Sequence, residues 1–235
     1  MTRMTRNPRH SGVFIAGTDT GIGKTIVSCA LLRALCAAGL RATGMKPVAS
    51  GCAMTPDGLR NDDALALIAA SDSKPEYADC NPFAFAEPVS PHIAAAATPV
   101  TMAPIAAAFS RLAARADFVV VEGVGGWLAP LSDRLLANAI PHSLRLPAIL
   151  VVGLKLGCLN HAQLTARAIR DDGCKLIGWI GNHIDPDMAR PEENVATLRR
   201  LLPVPCLGIL PFAATSDPHA QASRMSAAIE AIVSA

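Results

Sequence analysis

The stretch GTDTGIGKT, Gly17–Thr25, decides how the rest of this chain is read. It ends in Gly-Lys-Thr, as a phosphate-binding loop of the form G-x-x-x-x-G-K-[ST] does. That form places its first glycine at position 18. Here position 18 is Thr18, and the glycine stands one place earlier, at Gly17. Upstream, GVFIAG (Gly12–Gly17) is a short unbroken apolar run and reads as a buried strand. Downstream, KTIVSCALLRALCAAG carries apolar residues at helical spacing and stops at Gly39. Strand, glycine turn and helix in that order suit phosphate. Glycines let backbone N–H groups approach the oxygens, and the helix N-terminus adds positive potential. A plain glycine turn ahead of a helix would account for the glycines but not for the Lys-Thr pair. In such a loop Lys24 reaches the terminal phosphates and the Thr25 hydroxyl ligates magnesium. Thr20, Gly21, Ile22, Gly23 and Ile26 complete the nucleotide-binding stretch.

The alternation continues along the chain. RATGMKP is a second strand ending near Lys46, and NDDALALIAA is a helix capped by Asn61. APIAAAFSRLAARA is a helix, DFVVVEG a continuous apolar strand closed by Glu122, and LPAILVVG another strand. A helix follows from about Asn160 to Asp171. KLIGWIGN is a strand, PEENVATLRRLL a helix, PCLGIL a strand, and a last helix begins near His219. Unbroken apolar strands separated by helices predict an α/β fold with a mostly parallel sheet covered on both faces. Ligands then belong at the carboxyl ends of the strands. We expect one P-loop NTPase-like domain over 1–235, with 1–11 a frayed N-terminal arm bearing Arg3, Arg6 and Arg9. The stretch Ser71–Pro104, rich in Ala and Pro, has no period that assigns its elements.

Composition narrows the function. Hydrophobic residues make up 51% of the 235, enough for a sizeable core, while aromatic residues are only 4%. A net charge of +2 argues against a nucleic-acid or membrane partner. The longest apolar runs fall short of the roughly 20 residues that cross a bilayer. The first residues lack the apolar core of a secretory signal. Seven scattered cysteines without a C-x-x-C pair disfavour zinc and a disulfide framework, and point to a reducing, cytoplasmic setting.

Chemistry-bearing residues gather at the predicted strand ends. Glu122 closes a buried strand, the usual place for a magnesium-associated carboxylate, and Gly123, Gly125 and Gly126 follow with room for close backbone approach. Gly123, Val124 and Gly125 join the nucleotide-binding set. A solvated glutamate before a turn is the plainer alternative. Lys46 and Ser50 lie just past another strand, where a cation would stabilise charge on a transferring phosphate. Asp62 and Asp63 begin a helix, which the helix dipole favours with or without a metal. The helix start Gly157, Cys158, Leu159 and Asn160 offers N–H groups to a carboxylate. His161 has no metal-spaced partner and reads as structural. A related loop, G-K-G-G-x-G-K-T, carries a second lysine five places before the main one; here that place is Asp19, so the signature lysine of dimeric switch ATPases is missing.

Together GTDTGIGKT, GMKPVASG, RNDDALAL, NPFAFAEPVSPH, VEGVGGWLAPL, VVGLKLGCLNHAQLT and GWIGN resemble the dethiobiotin synthetase family, ATP-dependent ligases of biotin synthesis. The likeness runs from about Val13 to Pro211. In that family the loop reads G-T-D-T-x-x-G-K-T, so the early glycine is its own form. The resemblance implies ATP as co-substrate and Mg2+ on Thr25, Asp63 and Glu122. It implies Lys46 and Lys24 as catalytic cations and Ser50 with Gly157–Asn160 as substrate contacts. Asn182 would contact adenine, with His183, Pro211, Phe212 and Ala213 nearby. The implied substrates are 7,8-diaminononanoate and CO2 or bicarbonate, in a homodimer with the substrate site near the interface. Two positions depart from the pattern. Many members have an acid where this chain has Gly21, and some have a tyrosine near Asn194 that reaches across the dimer. Three rivals are a switch ATPase of the partitioning or septum-positioning type, an inactive nucleotide-binding subunit, and a cobyrinate-type amide synthase.

Overall fold

A computed structural model of the chain describes residues 12–95, 98–212 and 217–235. The N-terminal arm at 1–11 and the site residue Ala213 lie outside the described residues. Six strands form the central sheet: β1 (Gly12–Gly17), β2 (Ala42–Met45), β3 (Phe118–Glu122), β4 (Ala148–Leu154), β5 (Leu176–His183) and β6 (Cys206–Leu210). Their order is β6-β5-β4-β1-β3-β2, and every pairing is parallel. This is the architecture that the apolar runs predicted.

Strand alternation splits the core into two layers. On β1, Val13 and Ile15 point to one face and Phe14 and Ala16 to the other. The first face is covered by α1 (Lys24–Ala37), α2 (Asp62–Ala70) and the C-terminal α6 (Pro218–Ser223) and α7 (Ser226–Ser234). The second is covered by α3 (Met102–Arg115), α4 (Cys158–Asp171) and α5 (Pro191–Leu201). Both strand faces are therefore dry, which is why the strands read as continuous hydrophobic runs rather than alternating ones.

Two boundaries differ from the sequence expectation. Helix α4 begins at Cys158, before Asn160, because Gly157 at φ 93° supplies a left-handed cap there. The last helix is two pieces. Arg224 and Met225 donate backwards over three residues, to the Gln221 and Ala222 carbonyls, and this tighter turn swings Met225 fully into the core. Among the described residues no helix is long and apolar enough to cross a membrane.

The parallel order matters for function. Chain entry into α1, the run past Met45, Glu122 and the ends of β4, β5 and β6 all fall on one edge. Strand β1 is central there, with β3 on one side and β4 on the other. A crevice at that switch in strand order is where open α/β sheets bind ligands.

Candidate active site

The loop from Gly17 to Thr25 wraps the N-terminus of α1. Gly21 and Gly23 both adopt positive φ, 70° and 80°. At Gly23 space also decides: a Cβ there would collide with the buried Asn182 side-chain amide. At Gly21 a Cβ would meet nothing within 4 Å, so this residue is fitted by its backbone conformation alone. Asn182, fully buried on β5, donates from Nδ2 to the Ile22 carbonyl at 3.0 Å and ties the loop to the sheet. Its Oδ1 is buried without a partner in the described structure.

Lys24 is 6% exposed, and its ammonium donates to the Asp19 and Gly125 carbonyls, both at 2.8 Å. Burial lowers its pKa to about 8, the positive charge of Lys46 adds to the drop, and the carboxylates of Glu122, Asp63 and Asp19 oppose it.

Beside it lies a compact ionic cluster. Lys46, just past β2, is 4% exposed. Its ammonium donates to Glu122 Oε1 at 2.6 Å and Asp63 Oδ2 at 2.9 Å. The Gly123 carbonyl is a longer contact at 3.4 Å. The Thr25 hydroxyl donates to the same Glu122 Oε1 at 2.9 Å. Burial disfavours the Lys46 charge, but Glu122 and then Asp63 outweigh it and hold its pKa above the usual lysine range. Burial likewise opposes the Asp63 charge, and Lys46 reverses the sign, keeping Asp63 below the usual carboxylate range. Glu122 is 0% exposed and its Oε2 has no hydrogen-bond partner among the described residues. Asn61 does cap α2, accepting from the Ala64 N–H at 3.2 Å, and this places Asp63 in the first turn facing Lys46.

A cavity of about 710 Å³ gathers these groups. Thr20, Gly21, Gly23, Lys24, Thr25, Ile26, Lys46, Ser50, Asp63, Glu122, Val124 and Gly125 line it. The Ser50 hydroxyl is buried with no partner among the described residues. Ile22 lies beneath the loop, 1% exposed. His183, Pro211 and Phe212 line a separate cavity of about 300 Å³ at the ends of β5 and β6. Gly157, Cys158, Leu159 and Asn160 begin α4, outside both of those cavities. Gly126, read from the sequence as a place of close backbone approach, also lines this cavity. Sequence reasoning missed part of the wall: Pro88, Val89, Ser90 and Pro91, from the stretch without a readable period, and Ala49 and Ala129. It also gave no role to Lys155, which pairs with Asp19 at 3.7 Å. Asp19 thus sits where switch ATPases put a lysine, and a cation from another strand end faces it.

This fold, with a glycine loop and Lys-Thr pair at the start of α1, defines a P-loop nucleotide-binding protein. A family model described as an AAA domain matches residues 11–220, and the chain belongs to that family. The ATP-dependent dethiobiotin synthetase BioD of Xanthomonas euvesicatoria pv. vesicatoria is 56% identical over 216 residues, which cover 91% of this chain and 96% of that protein. The protein of the same description from Xylella fastidiosa (strain 9a5c) is 56% identical over 203 residues, 86% and 90% of the two chains. Within the AAA domain family the chain therefore belongs to the ATP-dependent dethiobiotin synthetases. Among solved structures, the cell division ATPase MinD of Pyrococcus furiosus superposes with a TM-score of 0.55 at 15% identity, over 94% of this chain and 99% of that one. The MinC:MinD complex of Aquifex aeolicus gives 0.54 at 14%, over 86% and 81%. At that identity the likeness is one of fold alone.

Proposed function

We propose that the chain is a ligase that uses ATP to join CO2 to 7,8-diaminononanoate, releasing dethiobiotin, ADP and phosphate for biotin synthesis. One amine nitrogen adds to CO2 and loses a proton, giving a carbamate. A carbamate oxygen attacks the γ-phosphorus and expels ADP. The second amine then attacks the carbamoyl carbon of this mixed anhydride, displaces phosphate, loses a proton and closes the cyclic urea. The observation that carries the reading is the placing of Lys24 and the Lys46–Asp63–Glu122 cluster on one cavity. Phosphoryl transfer needs position and charge neutralisation more than covalent help, and those are what two buried ammonium groups provide. Ser50, whose hydroxyl in the same cavity has no partner among the described residues, is suited to hold the diamine end of the substrate.

The residues present fit magnesium. They offer only oxygen ligands, and Glu122 Oε2 is a buried acceptor without a hydrogen bond among the described residues. Thr25, Asp63 and Glu122 would hold the ion, directly or through water. Bound there, it would offset negative charge on the ATP phosphates. We assign the adenine end to Asn182, whose buried Oδ1 has no partner among the described residues, and to His183, Pro211 and Phe212.

We assign the distal substrate carboxylate to the α4 start at Gly157–Asn160. These residues stand outside the cavity of their own chain, and Leu156 beside them is 94% exposed. Both facts favour a homodimer in which the partner supplies this helix start. Asn194, near the position where some relatives carry a tyrosine, cannot copy that contact fully; its side chain donates to the Arg190 carbonyl of its own helix start at 2.9 Å. All seven cysteines are free thiols, which fits a reducing cytoplasm.

The decisive assay measures ATP hydrolysis with and without diaminononanoate and bicarbonate. Strict dependence on both is expected; hydrolysis stimulated by DNA or lipid would favour the switch-ATPase reading. A second expectation follows from Lys24. With a pKa of about 8, it is half neutral near that pH, and arriving phosphates favour its charged form. ATP binding near pH 8 should take up roughly half a proton, and at pH 6.5 close to none. Titration calorimetry in buffers of different ionisation heat reads this directly. A buffer-independent heat at pH 8 would count against the assignment.

A further inference from the structure

Tyr77 is the chain's one tyrosine, and it touches no group assigned to the reaction. It opens a one-turn helix, Tyr77–Cys80, inside the stretch that has no readable period. Its hydroxyl stands between two partners. It accepts from the Asn61 backbone N–H at 2.7 Å and donates to Asn81 Oδ1 at 2.9 Å. Asn81, 3% exposed, donates from Nδ2 to the Lys46 carbonyl at 2.6 Å and to the Phe83 carbonyl at 3.2 Å. The Lys46 N–H in turn donates to the Cys80 carbonyl at 2.8 Å. One short segment therefore grips the Lys46 peptide at both its N–H and its carbonyl. Through Tyr77 the same segment grips the residue that caps α2.

That second grip fills a gap in the sequence. In a capping box, a Glu or Gln three residues into the helix reaches back to the N–H of the capping residue. Here that position is Ala64, which has no side chain to reach with. The Tyr77 hydroxyl takes the N–H instead. The segment is itself anchored: the Arg60 guanidinium lies 4.2 Å over the Tyr77 ring, and Asp79 pairs with Arg111 of α3 at 2.7 Å. The two elements so joined carry the two ends of the Lys46–Asp63 ion pair, 2.9 Å apart.

We infer that Tyr77, acting through Asn81 and the Asn61 cap, is a positioning residue that sets the separation of Lys46 and Asp63. The inference rests on the reading of Lys46 as the cation facing the transferring phosphate. Tyr77→Phe keeps the ring and its contact with Arg60 and removes only the hydroxyl. It is expected to lower kcat about tenfold, because small misplacements of a charged group at a reacting centre are costly. The KM for ATP should stay within about twofold. In an Asp63→Asn background the same substitution should change kcat by less than about twofold, since the pair it positions is already broken. Ile232→Val, a comparable loss of buried material in α7, controls for general loosening.

Unchanged kcat in Tyr77→Phe, an equal loss in both backgrounds, or the same loss in Ile232→Val would overturn the inference. If the phenylalanine variant does not fold, Asn81→Ser removes the donor to the Lys46 carbonyl from the other end. The same loss and the same dependence on Asp63 are expected, and full turnover would refute the assignment. Wild-type protein without diaminononanoate-dependent turnover would refute the ligase reading instead. The clamp is then decided by denaturant midpoints alone: the shift in the Tyr77→Phe, Asp63→Asn double variant should be smaller than the sum of the single shifts, and simple additivity would sink it.

Discussion

Lys46→Met is expected to lower kcat by about 10²–10³-fold, the loss typical of removing one preorganised group that stabilises developing charge. The same substitution should cost roughly 3–5 kcal/mol of stability, because it strands a buried carboxylate. Glu122 is 0% exposed, and the Lys46 ammonium at 2.6 Å is its one charged partner in the described structure. A lysine at this position is therefore both a reactive cation and the neutraliser of a buried anion. The two roles separate in a double variant. Adding Glu122→Gln to Lys46→Met removes the stranded charge and should restore most of the stability while restoring none of the turnover. Steady-state kinetics and urea unfolding of the three proteins check both halves. Near-wild-type turnover in Lys46→Met would remove Lys46 from the chemistry. Wild-type stability would mean that the pair is not ionic.

Glu122→Gln alone should raise the magnesium concentration for half-maximal activity by about 10–100-fold, the range seen when a group supporting a metal site is lost. The amide keeps the size of the side chain and an oxygen for the Thr25 hydroxyl, which donates to Glu122 at 2.9 Å. What changes is the charge and the acceptor at Oε2, buried and without a hydrogen bond among the described residues. ATP affinity in excess magnesium should change little, because Lys24 keeps its own partners, the Asp19 and Gly125 carbonyls, and the loop N–H groups do not bond to Glu122. An unchanged magnesium titration would take Glu122 out of the metal set.

Much of this site was legible in the chain because it sits where strands end. The apolar runs placed β1, β2 and β3, and a parallel sheet brings every carboxyl end to one edge. Lys24, Lys46 and Glu122 had to converge there. Spacing alone left Asp63 open, because a helix start favours an acid with or without a metal; the family resemblance singled it out. The switch-ATPase alternative shares the sheet and the loop, and solved structures of that type superpose on this fold at 14–15% identity. Topology could not separate the two; Asp19 and the ordered motifs did.

Other parts were not legible, for identifiable reasons. Pro88–Pro91 line the cavity, yet nothing in the spacing of Ser71–Pro104 signals it. Part of that stretch is held by side-chain-to-backbone bonds to distant residues, such as Asn81 to the Lys46 carbonyl, 35 positions away. Such bonds leave no periodic trace. Gly157–Asn160 read correctly as a helix start, but the sequence does not say that this start lies outside its own chain's cavity.

By itself, then, the sequence determined the parallel α/β sheet, the phosphate loop and the acidic and basic residues at its edge, since burial on both strand faces and glycine at a tight turn are written locally. The tertiary structure alone decided that one lysine holds two carboxylates, and that Gly23 must be bare to admit Asn182. It also decided that Tyr77 supplies the bond Ala64 lacks. Each of these depends on groups far apart in the chain meeting within about 3 Å, the scale on which hydrogen bonds act.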